Sequence, residues 1–344
     1  MLSSIVVSAE DKAEKGNIIL PILTANPEVG VAGGAYIMHY DMKGREKIPD
    51  TLQAGIAYTT KNQKQVFCST QNLIKDIKIN TDSEIKSWAS RYYTRSSDSW
   101  EFEKYTDNNI NLKITGQKIF ENSWSAGVVT RFMYSSLTEK EKGGILEIQK
   151  PIGAEELFIS GVGLNVEYDS RNRSFYPTKG EYLSAEYTLF NKVFGSNENF
   201  RYGVVDARKY WNISKDNCIA VQYYLKSADG NVPLQYMPAM GGKRVMRGVY
   251  EGRLNDKIFT ALQSEYRFTV YKKFGASFFA GAGETASSID KLDTGNIHKS
   301  YGAGIRYNMG KEDKMNIRID FAINDLNGKE EETSGLYVDL LEAF

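Results

Sequence analysis

The chain has 344 residues, and its 43 lysines and arginines balance its 43 aspartates and glutamates, so the formal charge is zero. This balance argues against a nucleic-acid binder, because such proteins usually carry a basic excess. No apolar run approaches the roughly 18 residues that a transmembrane helix needs, which excludes a helical membrane protein. The 22 tyrosines, 16 phenylalanines and only seven prolines favour strands.

The first residues predict no element of their own. Residues 1–16 lack the basic region and the long apolar region of a signal peptide. We interpret them as a signal remnant or a short periplasmic tail. The first strand-like stretch begins near Asn17, and residues 17–344 contain no linker or break in composition, so we assign them to one β-domain.

Alternation of apolar and polar residues with a period of two recurs along the rest of the chain, which indicates strands. In the clearest case, Leu262 and Tyr266 fall on one face of a strand while Glu265 and Arg267 fall on the other. The other clear cases are residues 124–134, 160–169, 199–211 and 315–324. We count about sixteen such segments, which is an even number within the range of outer-membrane barrels.

The connections between these segments alternate in length. Long polar connections are predicted at 96–109, 135–156, 227–256, 285–299 and 324–334. Short connections are predicted at 121–123, 212–216, 272–273 and 310–314, together with two longer turns at 41–50 and 74–83. Long extracellular loops and short periplasmic turns are typical of bacterial barrels, so we predict an all-β, transmembrane antiparallel β-barrel of about 16 strands.

A soluble β-sandwich would also alternate, and periodicity alone does not tell which face points to solvent. Strands of a sandwich are shorter, with turns every 8–12 residues or so. The predicted strands run about ten residues or more, which suits tilted membrane strands. The sequence therefore favours the membrane barrel and leaves a soluble β-rich protein as the weaker alternative.

Charged residues of both signs fall on the polar faces. A selective porin would show a ring of one sign, so mixed signs predict either paired charges inside the lumen or simply a solvated barrel interior. The predicted lumenal charge network consists of Asp206, Arg208, Arg267, Arg306, Arg318 and Asp320.

Catalytic and metal-binding patterns are missing from the sequence. His39 and His298 stand in no recognisable motif, and Cys68 and Cys218 lie far apart in strand-like stretches, so we interpret both cysteines as free thiols. We therefore expect no enzyme, no metal and no cofactor.

The connection at 227–256 contains apolar residues that a loop exposed to water does not need. It contains the apolar residues Leu234, Tyr236 and Met237, and Arg247 follows a pair of glycines. We predict that this loop folds back on the barrel and that Arg247 meets a carboxylate, since bidentate pairing is the strong form of that contact.

Several local patterns, in this order and spacing, resemble the BamA/TamA-type outer-membrane superfamily, the bacterial surface antigen barrel domain. The patterns are DSRN at 169–172 with PTKG at 177–180, MRGVY at 246–250, SEYRF at 264–268, GAGIR at 302–306, RIDFA at 318–322 and EAF at 342–344. The resemblance covers essentially the whole chain and is strongest from Gly161 onward. It implies a 16-stranded barrel in the outer membrane of a Gram-negative bacterium.

The resemblance also implies site residues. The sixth extracellular loop enters the lumen and is locked there by Arg247, next to Gly248, through a salt bridge to Glu265. The family's second acid corresponds to Gly281 here, so Glu284 or Asp320 would have to substitute. A one-to-one pair would make the loss of Arg247 or of Glu265 equally harmful.

A last strand at 336–344 would close the barrel, with Leu340 and Phe344 in barrel closure and in the C-terminal signal. In that strand Leu341 stands where the family commonly has a glycine that is thought to help the seam open. The beginning of the chain leaves no room for the periplasmic POTRA domains of the family, which implies a short member that lacks them.

The function implied is assistance in the assembly or translocation of other proteins, or a role as barrel subunit of a larger outer-membrane complex. The partners implied are outer-membrane lipids and lipopolysaccharide, together with outer-membrane or periplasmic assembly components, and no nucleic acid. The alternative of another class is a passive diffusion channel or structural barrel.

Overall fold

The computed structural model describes residues 15–26, 30–41, 43, 49–96, 99–214, 217–309, 316–326 and 333–344. Sixteen strands form one antiparallel sheet in which each strand pairs with the next one along the chain. The predicted all-β antiparallel fold and the strand number are confirmed, and the folding of the sixth loop into the lumen stays a prediction. Among the described residues, no helix is both long enough and apolar enough to cross a membrane.

The strands are numbered in chain order. They are β1 Lys15–Asn26, β2 Gly30–Asp41, β3 Asp50–Thr59, β4 Lys64–Ile74, β5 Ile77–Ser96, β6 Ser99–Ile119, β7 Trp124–Thr138, β8 Leu157–Asp169, β9 Gly180–Phe190, β10 Phe200–Ser214, β11 Asn217–Gly230, β12 Ile258–Tyr271, β13 Phe274–Ala286, β14 His298–Asn308, β15 Asn316–Asn324 and β16 Ser334–Leu340. A short helix, α1, spans Ile145–Gln149 between β7 and β8.

The two edges of the sheet are β1 and β16. These strands approach each other to within 8 Å between Cα atoms. In the part of the chain that the structure describes, the ladder of paired strands runs from β1 to β16 and does not join these two to each other. Since β1 has 12 residues and β16 only 7, the edges also differ in length.

The two faces of the sheet differ in polarity as the alternation predicts. On β12, Leu262 is 55% exposed and Tyr266 39% exposed, whereas Glu265 is 0% exposed. On β15, Phe321 is 55% exposed and Asp320 is 0% exposed. An apolar face turned outward and a polar face turned inward are the arrangement of a membrane barrel, opposite to that of a soluble sandwich.

Two predicted connections in the first third of the chain are wrong. The β4–β5 turn comprises residues 75–76 alone rather than 74–83, and 96–109 is no long loop, because β6 begins at Ser99. With 20 and 21 residues, β5 and β6 are about twice as long as the membrane requires. Their outer parts form a ribbon in which Trp88 pairs with Asp107 and Ser96 with Ser99. This ribbon extends past both neighbouring strands, so its polar residues resemble a loop in the sequence.

The ends of the chain differ from the prediction as well. The first strand begins at Lys15, two residues before the predicted Asn17, and runs to Asn26. The predicted strand at 336–344 ends at Leu340, because Leu341 adopts a left-handed backbone with φ of 67°.

The short connection predicted at 310–314 lies outside the described residues, and the one at 212–216 is shorter, since β10 continues to Ser214.

Candidate functional site

The connection between β11 and β12, residues 231–257, is the sixth on its side of the sheet and is called loop six here. Its residues Met240, Met246 and Val249 are each 0% exposed. They form one apolar cluster with Phe259 and Ala261 on the inner face of β12. Burial of these side chains is worth roughly 1.5–3 kcal/mol each, which holds the loop against the inner face of the sheet.

The first part of loop six is fixed by an aromatic contact. The ring of Tyr236 lies 5.0 Å from that of Phe190 and 5.4 Å from that of Phe200, both in edge-on geometry. Burial raises the pKa of the Tyr236 hydroxyl to about 12, so it stays neutral and compatible with this apolar setting. Two of the three apolar residues singled out in the sequence, Tyr236 and Met237, therefore pack against this apolar cluster.

Arg247 is the central polar residue of loop six. Its Nη2 donates to Oε2 of Glu265 at 2.5 Å, and its Nη1 donates to Oδ2 of Asp320 at 2.5 Å. The guanidinium also lies 3.5 Å from the ring centroid of Phe279. Arg247 is 1% exposed and both carboxylates are 0% exposed. A charge buried to this degree is tolerable only when it is paired, and here each Nη group of the guanidinium donates to a different carboxylate.

The second carboxylate comes from β15 because the space at β13 is filled. Gly281 lies opposite Gln263 in the ladder. A Cβ atom at position 281 would stand 3.0 Å from the sulfur of Met246. An acid side chain there would require the Met246 side chain to shift, and Asp320 reaches Arg247 from β15 instead. Glu284, the other substitute, accepts from the backbone N–H of Asp293 at 2.9 Å.

Gly248 brings the backbone of loop six against β15 and β16. Its N–H donates to the hydroxyl of Tyr337 at 2.9 Å, and its carbonyl accepts from Nδ2 of Asn324 at 2.6 Å. Its φ is +100°, and a Cβ atom there would lie 3.0 Å from the carbonyl group of Ile323. Both the backbone angle and the close approach require glycine.

We expect Gly248→Ala to lower the free energy of unfolding by about 2–4 kcal/mol. A left-handed non-glycine residue costs roughly 1–2 kcal/mol, and retreat from Ile323 weakens two hydrogen bonds worth about 1 kcal/mol each. Gly252→Ala is the matched control, because Gly252 has a φ of +89° with no atom within 4 Å of its Cβ position. Urea unfolding in detergent measures both variants. Equal losses would mean that the contact with β15 contributes nothing.

Further charges surround the Arg247 contacts. Arg306 donates to Glu265 at 2.8 Å, to Asp320 at 2.5 Å and to Glu342 at 2.9 Å. Arg267 lies 3.1 Å from Glu265, and Arg318 lies 2.6 Å from Asp320. The buried ion cluster consists of Arg247, Arg267, Arg306, Arg318, Glu265, Asp320, Asp339 and Glu342. Its four positive and four negative charges cancel.

Asp206 and Arg208 do not join this cluster, although the sequence groups them with it. They pair with each other on β10 at 2.9 Å. A chain of amides connects them to loop six: Gln222 donates to Asp206 at 2.8 Å, and Gln263 donates to Gln222 at 2.6 Å. Because β10 is two strands away from β12, about 10 Å separates the two groups.

Several residues of the site carry no charge and were missed in the sequence. Gln263 donates to the carbonyl of Arg244 at 2.9 Å and accepts from the N–H of Met246 at 3.2 Å. Tyr337 and Asn324 were missed too, since a neutral side chain in an alternating strand gives no signal of its partner.

A second lumenal group of charges lies on β5 to β9. Lys113 and Arg131 both reach Glu186, at 2.7 and 2.6 Å. Lys78 contacts Glu167 at 2.5 Å. Lys78 was missed in the sequence because residues 74–83 were predicted to form a turn, although the alternation of apolar and polar residues from Ile77 onward was the signal that could have placed it on a strand.

The segment 341–344 turns into the barrel after Leu340. Phe344 is 3% exposed and packs with Tyr210 and Ala220. Its carbonyl accepts from Nη2 of Arg267 at 2.7 Å. Phe344 therefore does not extend the closing strand, which corrects the predicted strand at 336–344. A part in a C-terminal signal stays a prediction.

Metal-binding geometry is not found in the described part of the chain: no group of three or more His, Cys, Asp or Glu residues could hold an ion. Cys68 and Cys218 are free thiols there. His39 contacts Asn17 at 2.9 Å, and His298 lies 3.6 Å from Asp325.

Comparison with known proteins identifies the family and the fold. The model of the Omp85 superfamily domain matches residues 50–340. The structure is similar to BamA from Haemophilus ducreyi lacking POTRA domains 1–3, with a TM-score of 0.63 and 12% identity over 96% of this chain and 71% of that one. No curated protein matches the chain.

Two CdiB structures are also similar. CdiB from Acinetobacter baumannii has a TM-score of 0.61 and 12% identity, over 95% of this chain and 59% of that one. CdiB from Escherichia coli has a TM-score of 0.62 and 10% identity, over 97% of this chain and 64% of that one. The chain thus spans less than two thirds of either CdiB chain, and at this identity the likeness establishes the fold.

Proposed function

The chain belongs to the Omp85 superfamily, and from that premise we propose that this outer-membrane β-barrel assists the assembly or translocation of other proteins. It would act by itself or as the barrel subunit of a larger outer-membrane complex. We propose protein partners among outer-membrane or periplasmic assembly components, lipid partners that include lipopolysaccharide, and no catalytic activity.

Loop six is the observation that carries this proposal. Its buried apolar residues and the two carboxylate contacts of Arg247 hold residues 240–254 of the loop against the inner face of the sheet. A diffusion channel needs an open, water-filled lumen. A lumen that holds an ion-paired loop suits a barrel whose activity involves its wall and its loop rather than free passage of solutes.

The proposed mechanism has two parts. Loop six is held in the lumen by Arg247 with Glu265 and Asp320, and this lock keeps the barrel in its resting state. The edges β1 and β16, which approach each other without a ladder in the described residues, form a seam at which a client protein engages.

Conductance in planar bilayers separates this proposal from the passive channel. We expect small, unsteady currents from the natural protein and larger, steadier currents from Arg247→Ala, because release of loop six clears the lumen. Arg201→Ala is the control, since Arg201 is 63% exposed and 3.9 Å from its partner carboxylate. A large, steady current that Arg247→Ala leaves unchanged would favour the channel.

Affinity isolation from outer membranes in mild detergent tests the assembly role directly. We expect recovery of assembly components or incompletely folded clients, quantified by mass spectrometry against a tagged barrel of similar size from the same membrane. Recovery of the protein alone, together with a steady current, would overturn the proposal.

A further inference from the structure

Loop six is fastened to the edge strand β16 as well as to the strands in the middle of the sheet. The N–H of Gly248 donates to the hydroxyl of Tyr337 at 2.9 Å. Nζ of Lys243 lies 3.1 Å from the carboxylate of Asp339. Tyr337 and Asp339 alternate with outward residues, so both point inward from β16 and reach two separate points of the loop.

The neighbouring strand joins the same set of contacts. Tyr337 stands opposite Asp320 in the β15–β16 ladder, and Asp339 stands opposite Arg318. Arg318 donates to the carbonyl of Lys243 at 2.8 Å and lies 3.2 Å from Asp339. The loop backbone, β15 and β16 are therefore connected within one small group of side chains.

The segment that follows β16 is held by the same arginines. Glu342 accepts from Arg306 at 2.9 Å, and Arg306 also contacts Glu265 and Asp320, the two carboxylates that hold Arg247. Movement of β16 away from the sheet would draw Glu342 out of the buried ion cluster. A release of loop six would take Arg247 out of that cluster.

We propose that loop six holds the edge strand β16 in place and that the strand and the loop are released together. Tyr337 and Asp339 are the positioning residues of this contact, which is called the latch here. This inference rests on the proposed function, because the seam has a role only in a barrel that engages clients. It adds to the lock a direct mechanical connection to one edge of the seam.

Thermodynamic linkage gives the proposal its test, because coupling between two sites is reciprocal. A change on β16 must loosen loop six, and a change on loop six must loosen β16. Independent attachment would confine each effect to the altered element. Amide hydrogen exchange reports such local opening element by element.

The experiment is hydrogen exchange with mass spectrometry on the full chain in detergent, with no client present. Tyr337→Phe removes the hydroxyl that accepts from Gly248, and Lys243→Ala removes the loop's contact with Asp339. Tyr36→Phe is the matched control. Tyr36 lies on β2, near the other edge of the sheet, and its inward hydroxyl donates to Gln53 on β3 at 2.9 Å.

We expect Tyr337→Phe to speed exchange about three- to tenfold in both β16 and residues 241–250 of loop six, as the loss of one buried hydrogen bond implies. Lys243→Ala should speed exchange in the same two segments by about two- to fivefold, because its ion pair is partly exposed. Tyr36→Phe should leave both segments unchanged.

Faster exchange in β16 alone after Tyr337→Phe, or in the loop alone after Lys243→Ala, would overturn the latch. Lys243→Ala keeps the test open should Tyr337→Phe fail to fold. Since no client is present, failure of the assembly role leaves this result untouched. If the latch is refuted, the proposed function is still tested separately by partner isolation and by conductance.

Discussion

Glu265→Ala is expected to lower the free energy of unfolding by about 5 kcal/mol, more than the loss of Arg247 or a change at Gly248. The carboxylate is 0% exposed and meets three guanidiniums, those of Arg247, Arg267 and Arg306. Its removal leaves four arginines with three acids in a site closed to water. Stranding a buried charge costs about 3–5 kcal/mol, and here the excess charge is shared by three residues that cannot deprotonate.

Urea unfolding in detergent, followed by tyrosine and tryptophan fluorescence, measures this loss. Asp229→Ala is the control, because Asp229 is 70% exposed and 3.9 Å from Arg201, where a pair contributes about 0–1 kcal/mol. Glu265→Gln should fall between the two, since the amide keeps the shape and one acceptor. If Glu265→Ala behaves like Asp229→Ala, the cluster does not hold the fold.

Arg247→Ala is expected to be the second most harmful change, with a loss of about 3 kcal/mol. After it, Glu265 retains Arg267 and Arg306, and Asp320 retains Arg306 and Arg318. The stranded charges are therefore partly compensated. Arg247→Lys should recover only part of the loss, because a single ammonium cannot serve both carboxylates as the guanidinium fork does.

A double-mutant cycle of Arg247→Ala and Glu265→Ala provides the decisive number. Contacting residues in one network couple by about 0.5–3 kcal/mol, and we expect a value in the upper half of that range. A coupling of zero would refute the lock. The expected order, with Glu265→Ala worse than Arg247→Ala, also differs from the equal effects that a one-to-one pair predicts.

The strands and their faces could be predicted because a period of two is a local property. Leu262 and Glu265 differ in polarity and in parity of position, which suffices to send them to opposite faces. The outer part of the β5–β6 ribbon was mistaken for a loop because it extends past the neighbouring strands. Water replaces lipid there, so the strands need no apolar face.

The site was only partly predictable. Arg247 and Glu265 were named together through the resemblance, and the structure places them 2.5 Å apart. The choice between Glu284 and Asp320 could not be made, because it depends on which carboxylate the folded loop brings to Arg247. Asp320 contacts Arg247 although the two are 73 positions apart, whereas Glu284 accepts from the backbone of Asp293.

The sequence by itself determined the strand number, the polar inner face and the presence there of acids and bases in balance, since composition and alternation act residue by residue. The tertiary structure decided which charges meet, because pairing across strands depends on register and on where loop six enters. It placed Asp320 with Arg247, kept Asp206 with Arg208 apart, and turned residues 341–344 inward. In that turn Glu342 meets Arg306 at 2.9 Å and Asn316 at 2.8 Å, so its buried charge is stabilised there.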